Sequence, residues 1–170
     1  MHRSTRAFKI IGFGLAPIAA LALLRSAFAA PVILYNPSPS EPKGFYRLTQ
    51  ERPSPGHLAA FRVPMAGRAY AAVHIPYLLS GSILKEIVAG EGDQVCSRNN
   101  RIDVDGRDEG NIAAADHNGA ALPHWEGCLT LSAGEFFVLS HRIPNSFDSR
   151  YYGPVREADI VGIYVPLWTE

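Results

Sequence analysis

Two serines stand two residues apart in Asn36-Pro37-Ser38-Pro39-Ser40-Glu41-Pro42-Lys43-Gly44, just after the chain's long apolar segment. Prolines remove backbone donors and hold φ near about −65°, and each residue before a proline is pushed towards extended backbone. The spacing therefore predicts a stiff, extended segment with Ser38 and Ser40 facing the same side. A hydroxyl fixed in that way is a candidate nucleophile if a base can reach it; without one, the segment is an ordinary Ser/Pro linker. Lys85 is a candidate base. In Ile83-Leu84-Lys85-Glu86-Ile87-Val88 the alternation places Lys85 on the face of Ile83 and Ile87. An amine on an apolar face has its charged form disfavoured, and a neutral amine is what a general base must be. The competing reading is a packed stem whose ammonium reaches water. A third stretch, Asn145-Ser146-Phe147-Asp148-Ser149-Arg150-Tyr151-Tyr152-Gly153-Pro154-Val155, is dense in short polar groups. If it is extended, Asp148 and Arg150 share a face, and such a cluster can hold the side chains of another site by hydrogen bonds and an ion pair.

Other chemistries find less support. Sixteen basic and sixteen acidic residues balance to zero, so no basic face is advertised and nucleic acid is not an expected partner. The two cysteines, Cys96 and Cys128, cannot make a four-ligand zinc site, and no compact histidine pattern completes one. Asp103, Asp105, Asp108 and Glu109 lack the ligand spacing of a calcium loop and read as a solvated turn. His141, alone after an apolar run, reads as a surface or packed histidine rather than a catalytic one. No cofactor or metal is expected.

The elements that must position these residues are mostly strands. Thirteen prolines and fifteen glycines between short apolar runs favour β structure with many turns. Strands are expected at 45–48, 57–63, 83–88, from 94, at 101–107 around the Asp105-Gly106 hairpin turn, at 129–131, 135–140 and 160–166, with a weak helix over 66–73. Gly44 is expected to supply a turn before the first of these strands. At the amino terminus, His2, Arg3, Arg6 and Lys9 precede an uncharged apolar run from Ile10 to Leu24. This is a targeting pattern: either a signal-anchor flanked by Lys9 and Arg25, or a signal peptide cut after Ala27-Phe28-Ala29. Residues 1–34 are thus read as anchor or signal peptide, and residues 35–170 as a single extracytoplasmic domain. In that oxidising compartment Cys96 and Cys128 are expected to pair, closing a loop of about thirty residues for roughly 3 kcal/mol; the alternative is two buried free thiols.

Taken in order, the three chemistry-bearing stretches resemble the serine–lysine signal peptidases, and more closely the TraF-type peptidases of bacterial conjugative transfer. Ser40-Glu41-Pro42-Lys43-Gly44-Phe45-Tyr46 matches the nucleophile box, Leu84 to Val95 the lysine box, and Asn145 to Val155 the terminal box. The resemblance implies that Ser40 attacks the scissile carbonyl and that unprotonated Lys85 takes its proton. It implies that Ser38 helps the Ser40 N–H bind the oxyanion, that Ser146 orients the lysine amine, and that Asp148 and Arg150 form a supporting ion pair. Two departures stand out. Glu41 occupies the place where leader peptidases usually have methionine, and Ser140-His141-Arg142-Ile143-Pro144 replaces the Gly-Asp-Asn run before the terminal box.

The expected fold is therefore mainly β: an antiparallel β-sheet, signal-peptidase-like domain with one N-terminal apolar helix. The expected function is a serine endopeptidase at the bacterial inner membrane, its catalytic domain periplasmic, removing signal peptides from precursor proteins such as a conjugative pilin. The alternatives are a general leader peptidase and a non-catalytic β module of a pilus or secretion apparatus. A self-cleaving repressor shares the chemistry but would need a DNA-binding helical domain in place of this leader.

Overall fold

The computed structural model describes residues 30–170; the N-terminal apolar helix and the cleavage motif expected from the sequence lie outside them. The described domain is built on antiparallel strands in two sheets. The larger has the order β1-β2-β11-β3-β4-β9-β10, with β1 (Ile33–Asn36), β2 (Gly44–Leu48), β3 (Leu58–Phe61), β4 (Ile83–Ala89), β9 (Glu135–Leu139), β10 (Val155–Arg156) and β11 (Ile160–Thr169). The smaller has the order β7-β6-β5-β8, with β5 (Gln94–Arg98), β6 (Arg101–Val104), β7 (Arg107–Asn111) and β8 (Gly127–Thr130). Ile33 and Leu34, apolar residues read from sequence with the leader, form the first half of β1.

β4 lies between β3 and β9, with neighbours on both edges, and its residues Ile83, Leu84, Lys85, Ile87 and Ala89 are all buried. Ile83 and Ile87 join the main core with Phe61, Phe137, Val138 and Leu139, while Leu84 packs on the opposite side with Tyr46, Ala60 and Tyr164. A strand covered on both faces reads as a near-continuous apolar run, and Lys85 is the exception within it. The helix α1 (Met65–His74) and a 3₁₀ turn (Pro76–Leu79) fill the crossover from β3 to β4. Gly67 lets the helix close on the terminal segment, since a Cβ there would sit 3.1 Å from the Tyr152 ring and 3.3 Å from Phe147.

The smaller sheet follows the turn chemistry of its sequence. Asp105 and Gly106 have φ of 50° and 74°, the left-handed pair that a tight two-residue hairpin requires. Cys96 and Cys128 are directly opposed on β5 and β8 and joined by a disulfide, with their Cα atoms 4.0 Å apart. The expected turn at Gly44 is displaced by one step. Gly44 is the first residue of β2, at φ 139°, and a Cβ would meet the Trp168 carbonyl oxygen at 2.2 Å, so only glycine permits the pairing with β11.

Candidate active site

The nucleophile-box segment is not extended, as its prolines suggested. It is the loop of the β1–β2 hairpin, whose last pair is Asn36↔Gly44. The Asn36 side chain is the physical reason. Its Oδ1 accepts the Ser38 N–H at 3.1 Å, and its Nδ2 donates to the carbonyls of Ser38, Glu41 and Pro42 at 3.0, 3.1 and 3.1 Å. One amide thus gathers three carbonyls and curls the loop, as asparagine does in side-chain-closed turns. The Tyr46 hydroxyl adds a bond to the Pro42 carbonyl at 2.5 Å.

Within this turn Ser38 and Ser40 do meet. Their Oγ atoms are 2.9 Å apart, and the Ser40 N–H points to Ser38 Oγ at 3.3 Å. Lys85 reaches the same point from β4: its Nζ donates to Ser40 Oγ at 2.5 Å and to the Leu84 carbonyl at 3.0 Å. Lys85 is 4% exposed. Burial lowers its pKa to about 8 from an ordinary 10.5, against the opposing pull of Asp148 and Glu41, with Arg150 helping to lower it. The amine loses its proton far more readily than an exposed lysine, and the uncharged form can accept the Ser40 proton across the existing contact.

The terminal box is a turn of helix, not the extended strand on which Asp148 and Arg150 would share a face. Asp148 is the N-cap of the short helix α2 (Ser149–Tyr152) and accepts the Arg150 N–H at 3.3 Å. The helix folds Arg150 back on its own cap: Nε and Nη2 donate to the two Asp148 oxygens at 2.8 Å each, both groups buried. The remaining Arg150 donor reaches the Asn111 and Pro144 carbonyls at 3.3 Å. Ser146 lines the same cleft as Ser40 and Lys85, but its buried hydroxyl makes no hydrogen bond. The second bond of the amine goes to Leu84 and not to Ser146.

One residue that sequence reasoning passed over joins the ion pair to the serine. The Ser140 N–H donates to Asp148 Oδ2 at 3.2 Å, and its hydroxyl donates to the Ser40 carbonyl. Arg150, Asp148 and Ser140 thus form a buried relay that fixes the backbone of Ser40. The signal was a serine ending a buried strand just ahead of the terminal box. Asn36 was likewise legible only as the residue that opens the stretch.

The cleft holds about 370 Å³. It is lined by Ser38, Ser40 and Lys85, by the apolar Ile83, Leu84 and Ile143, and by Tyr70 and Asp116. Tyr70 of α1 donates to Asp116 at 2.7 Å, and Asp116 also receives the N–H groups of Asn118 and Ala120, so the helix and the β7–β8 loop are tied across the cleft. His141 lies in the loop after β9, half exposed and bonded to Glu109 at 2.8 Å. Among the described residues no group of three or more histidines, cysteines or acids is placed to hold a metal.

Residues 7–168 match the family described as signal peptidase, peptidase S26. A plasmid transfer protein TraF of Escherichia coli is 28% identical, with 99% of each chain covered. A conjugal transfer protein TraF of Agrobacterium fabrum is 28% identical over 79% of this chain and 81% of its own. A crystal structure of a signal peptidase I from Enterococcus faecalis superposes with a TM-score of 0.41 at 20% identity, over 68% of this chain and 98% of that one.

Proposed function

The chain belongs to the peptidase S26 signal peptidase family, and on that premise we propose that it is a membrane-associated serine endopeptidase with a Ser40–Lys85 dyad, removing signal peptides from exported precursors. The observation that carries this reading is the 2.5 Å contact between Ser40 Oγ and an amine that burial inclines to lose its proton. A hydroxyl next to a base of depressed pKa is the arrangement of an activated nucleophile.

In the proposed reaction neutral Lys85 takes the Ser40 proton as Oγ attacks the scissile carbonyl. The developing oxyanion is met by the Ser40 N–H and the Ser38 hydroxyl. In the free site these two groups bond each other, so substrate must displace that 3.3 Å contact. As the C–N bond breaks, the ammonium of Lys85 protonates the departing amine, leaving an ester between Ser40 and the signal peptide. Lys85 then deprotonates a water molecule, which cleaves the ester and returns the serine. Ser146 lines the same cleft and its buried hydroxyl has no hydrogen-bond partner, so it is the hydroxyl we assign to receive the amine while Ser40 is acylated.

The finer assignments rest on other features. The relatives' names place them in plasmid and conjugal transfer, and from these we take the substrate to be a conjugative pilin precursor. Membrane association is supported by Val32, Ile33, Tyr35, Phe45, Leu167 and Trp168, all exposed on β1, β2, β11 and the residue before β1. The Tyr35 and Phe45 rings are 5.1 Å apart and Phe45 stacks on Trp168 at 6.3 Å, forming one amphipathic patch of the kind that seats in a lipid interface. Among the described residues no helix is long and apolar enough to cross a membrane.

The proposed ester gives the test. Full-length protein in detergent is mixed with a pilin precursor, quenched in acid within its first turnover, and mapped by mass spectrometry. The reading expects the mass of the signal peptide on the peptide containing Ser40. Cleavage with no adduct there, or an adduct on another residue, contradicts it.

A further inference from the structure

The connection from β7 to β8 carries a small hairpin of its own. Ala115 and Ala121 pair across it, and Gly119 turns its tip at φ 82°. The Asp116 N–H donates to the Ala120 carbonyl at 2.9 Å, and the Leu122 N–H to the Ala114 carbonyl at 3.0 Å. Asp116 organises the tip with one carboxylate oxygen: its Oδ1 accepts the N–H groups of Asn118 and Ala120 at 2.8 and 2.9 Å. Its other oxygen, Oδ2, accepts the Tyr70 hydroxyl from α1 at 2.7 Å. A single carboxylate therefore shapes the hairpin and fastens it to the helix.

Both partners of this bond are fixed by their surroundings. The Tyr70 ring stacks on His74 at 4.5 Å and lies 5.2 Å from the ring of Phe147, the neighbour of Ser146 in the terminal box. The segment that carries the hairpin is held at its two ends. The Ile112 N–H donates to the Asn100 carbonyl at 2.7 Å, and Ser97 Oγ donates to the Trp125 carbonyl at 2.6 Å. Tyr70 holds its middle. Burial, and after it the bond to Asp116, push the Tyr70 phenol up to about 12, while the same bond holds the Asp116 carboxyl below the ordinary carboxylate range. Donor and acceptor thus keep these states throughout the neutral range. Tyr70 from α1, and Asp116, Asn118 and Leu122 from the hairpin, line the cleft that holds Ser40 and Lys85.

Building on the Ser–Lys reading, we propose that the Tyr70–Asp116 bond is a specificity-determining strap: it fixes the width of the cleft beside the dyad, and so sets the largest substrate side chain accepted next to the scissile bond. A hydrogen bond to a charged acceptor holds such a contact closed by about ten- to a hundredfold. A bulky side chain must work against that hold, whereas a small one fits with the strap closed, so the site selects by exclusion.

The test is peptide binding to full-length Ser40→Ala protein in detergent, with Tyr70 intact or replaced in Tyr70→Phe. The replacement keeps the ring and its stacking and removes the donor alone. The probes are soluble peptides spanning the junction between the apolar segment and the mature chain of a pilin precursor, with alanine, leucine or phenylalanine placed in turn at each residue flanking the junction. With Tyr70 intact, Kd should favour alanine over phenylalanine at one of these positions. Tyr70→Phe should narrow that preference by about tenfold, by tightening the phenylalanine peptide and leaving the alanine peptide within about twofold. In protein with Ser40 intact, the same narrowing should appear in kcat/KM for cleavage. A preference that Tyr70→Phe leaves unchanged overturns the inference, as does the lack of any size preference with Tyr70 intact. An equal weakening of every peptide overturns it too, since that marks Tyr70 as structural only. A Ser40 protein that cleaves no precursor counts against the peptidase reading instead, and the binding series still decides the role of the strap.

Discussion

At the scale of single residues the account turns on where protons sit. Lys85 titrates near 8 in the folded protein and at 10.5 when exposed. Between those values the unfolded chain holds a proton that the native chain lacks, so stability rises with pH through this window and falls as pH drops through about 8. Glu41 acts with the opposite sign in a different range: raised from 4.5 to about 7, it withdraws stability as pH rises between those values. Lys85→Met should therefore be more stable than wild type by on the order of 1–2 kcal/mol at pH 7 and should lose the rise at high pH; urea unfolding across pH reads both effects, and a variant less stable than wild type throughout would contradict them. Ser38→Ala removes one of the two proposed oxyanion donors. It should lower kcat by about 10²–10³-fold with little change in KM, as measured by steady-state cleavage. An unchanged kcat would take Ser38 out of the oxyanion site.

At the scale of elements, the site is a hairpin loop, a central strand and a short capped helix brought to one point. Asn36 and Ser140 hold the loop. Asn36→Ala leaves three loop carbonyls without their donor and should cost about 1–3 kcal/mol. Loss of the loop's geometry should also lower the cleavage rate by about 10²-fold, because small displacements of a nucleophile are expensive. Asn36→Asp should do no better, since a carboxylate cannot donate to carbonyls; thermal unfolding and single-turnover rates of the two variants check this, and a fully active Asn36→Asp protein would be inconsistent with it. The strands were legible in the sequence because alternation and turn residues act locally: the β4 pattern around Lys85 and the Asp105-Gly106 hairpin are both written in consecutive residues. The helix at 65–74 was visible only weakly, because its small residues carry little periodic signal. The curled loop and the capped turn at Asp148 were not legible. Prolines and alternation argue for extended chain, and what overrides them is a side chain folding back on its neighbours, the Asn36 amide in one case and the Asp148 cap with Arg150 in the other.

For the whole molecule, the candidate site was legible from the order of three stretches, whereas the packing that joins them is nonlocal. Ser140 lies 100 residues from the carbonyl it holds, and no local pattern could have announced it. The exposed aromatic patch on β1, β2 and β11 likewise assembles from distant segments. If that patch seats in lipid, Phe45→Ser with Trp168→Ser should lower cleavage of a precursor embedded in vesicles by about tenfold or more while sparing cleavage of a short soluble peptide. Equal effects on both substrates would remove the membrane role from the patch. From the basic leader and the apolar run after it, we propose that the domain lies outside the cytoplasm. A reporter fused after Glu170 should accordingly be active only on the far side of the inner membrane.

The central claim is that Ser40 is the nucleophile and Lys85 its base. Its most direct test is cleavage of a purified pilin precursor by full-length wild-type, Ser40→Ala and Lys85→Arg proteins, each first shown to be folded. A guanidinium stays protonated at any working pH and cannot accept the serine proton. The account predicts that the wild type cleaves, faster as pH rises through about 8, and that neither variant does. Cleavage at the wild-type rate by folded Ser40→Ala or Lys85→Arg protein would contradict it.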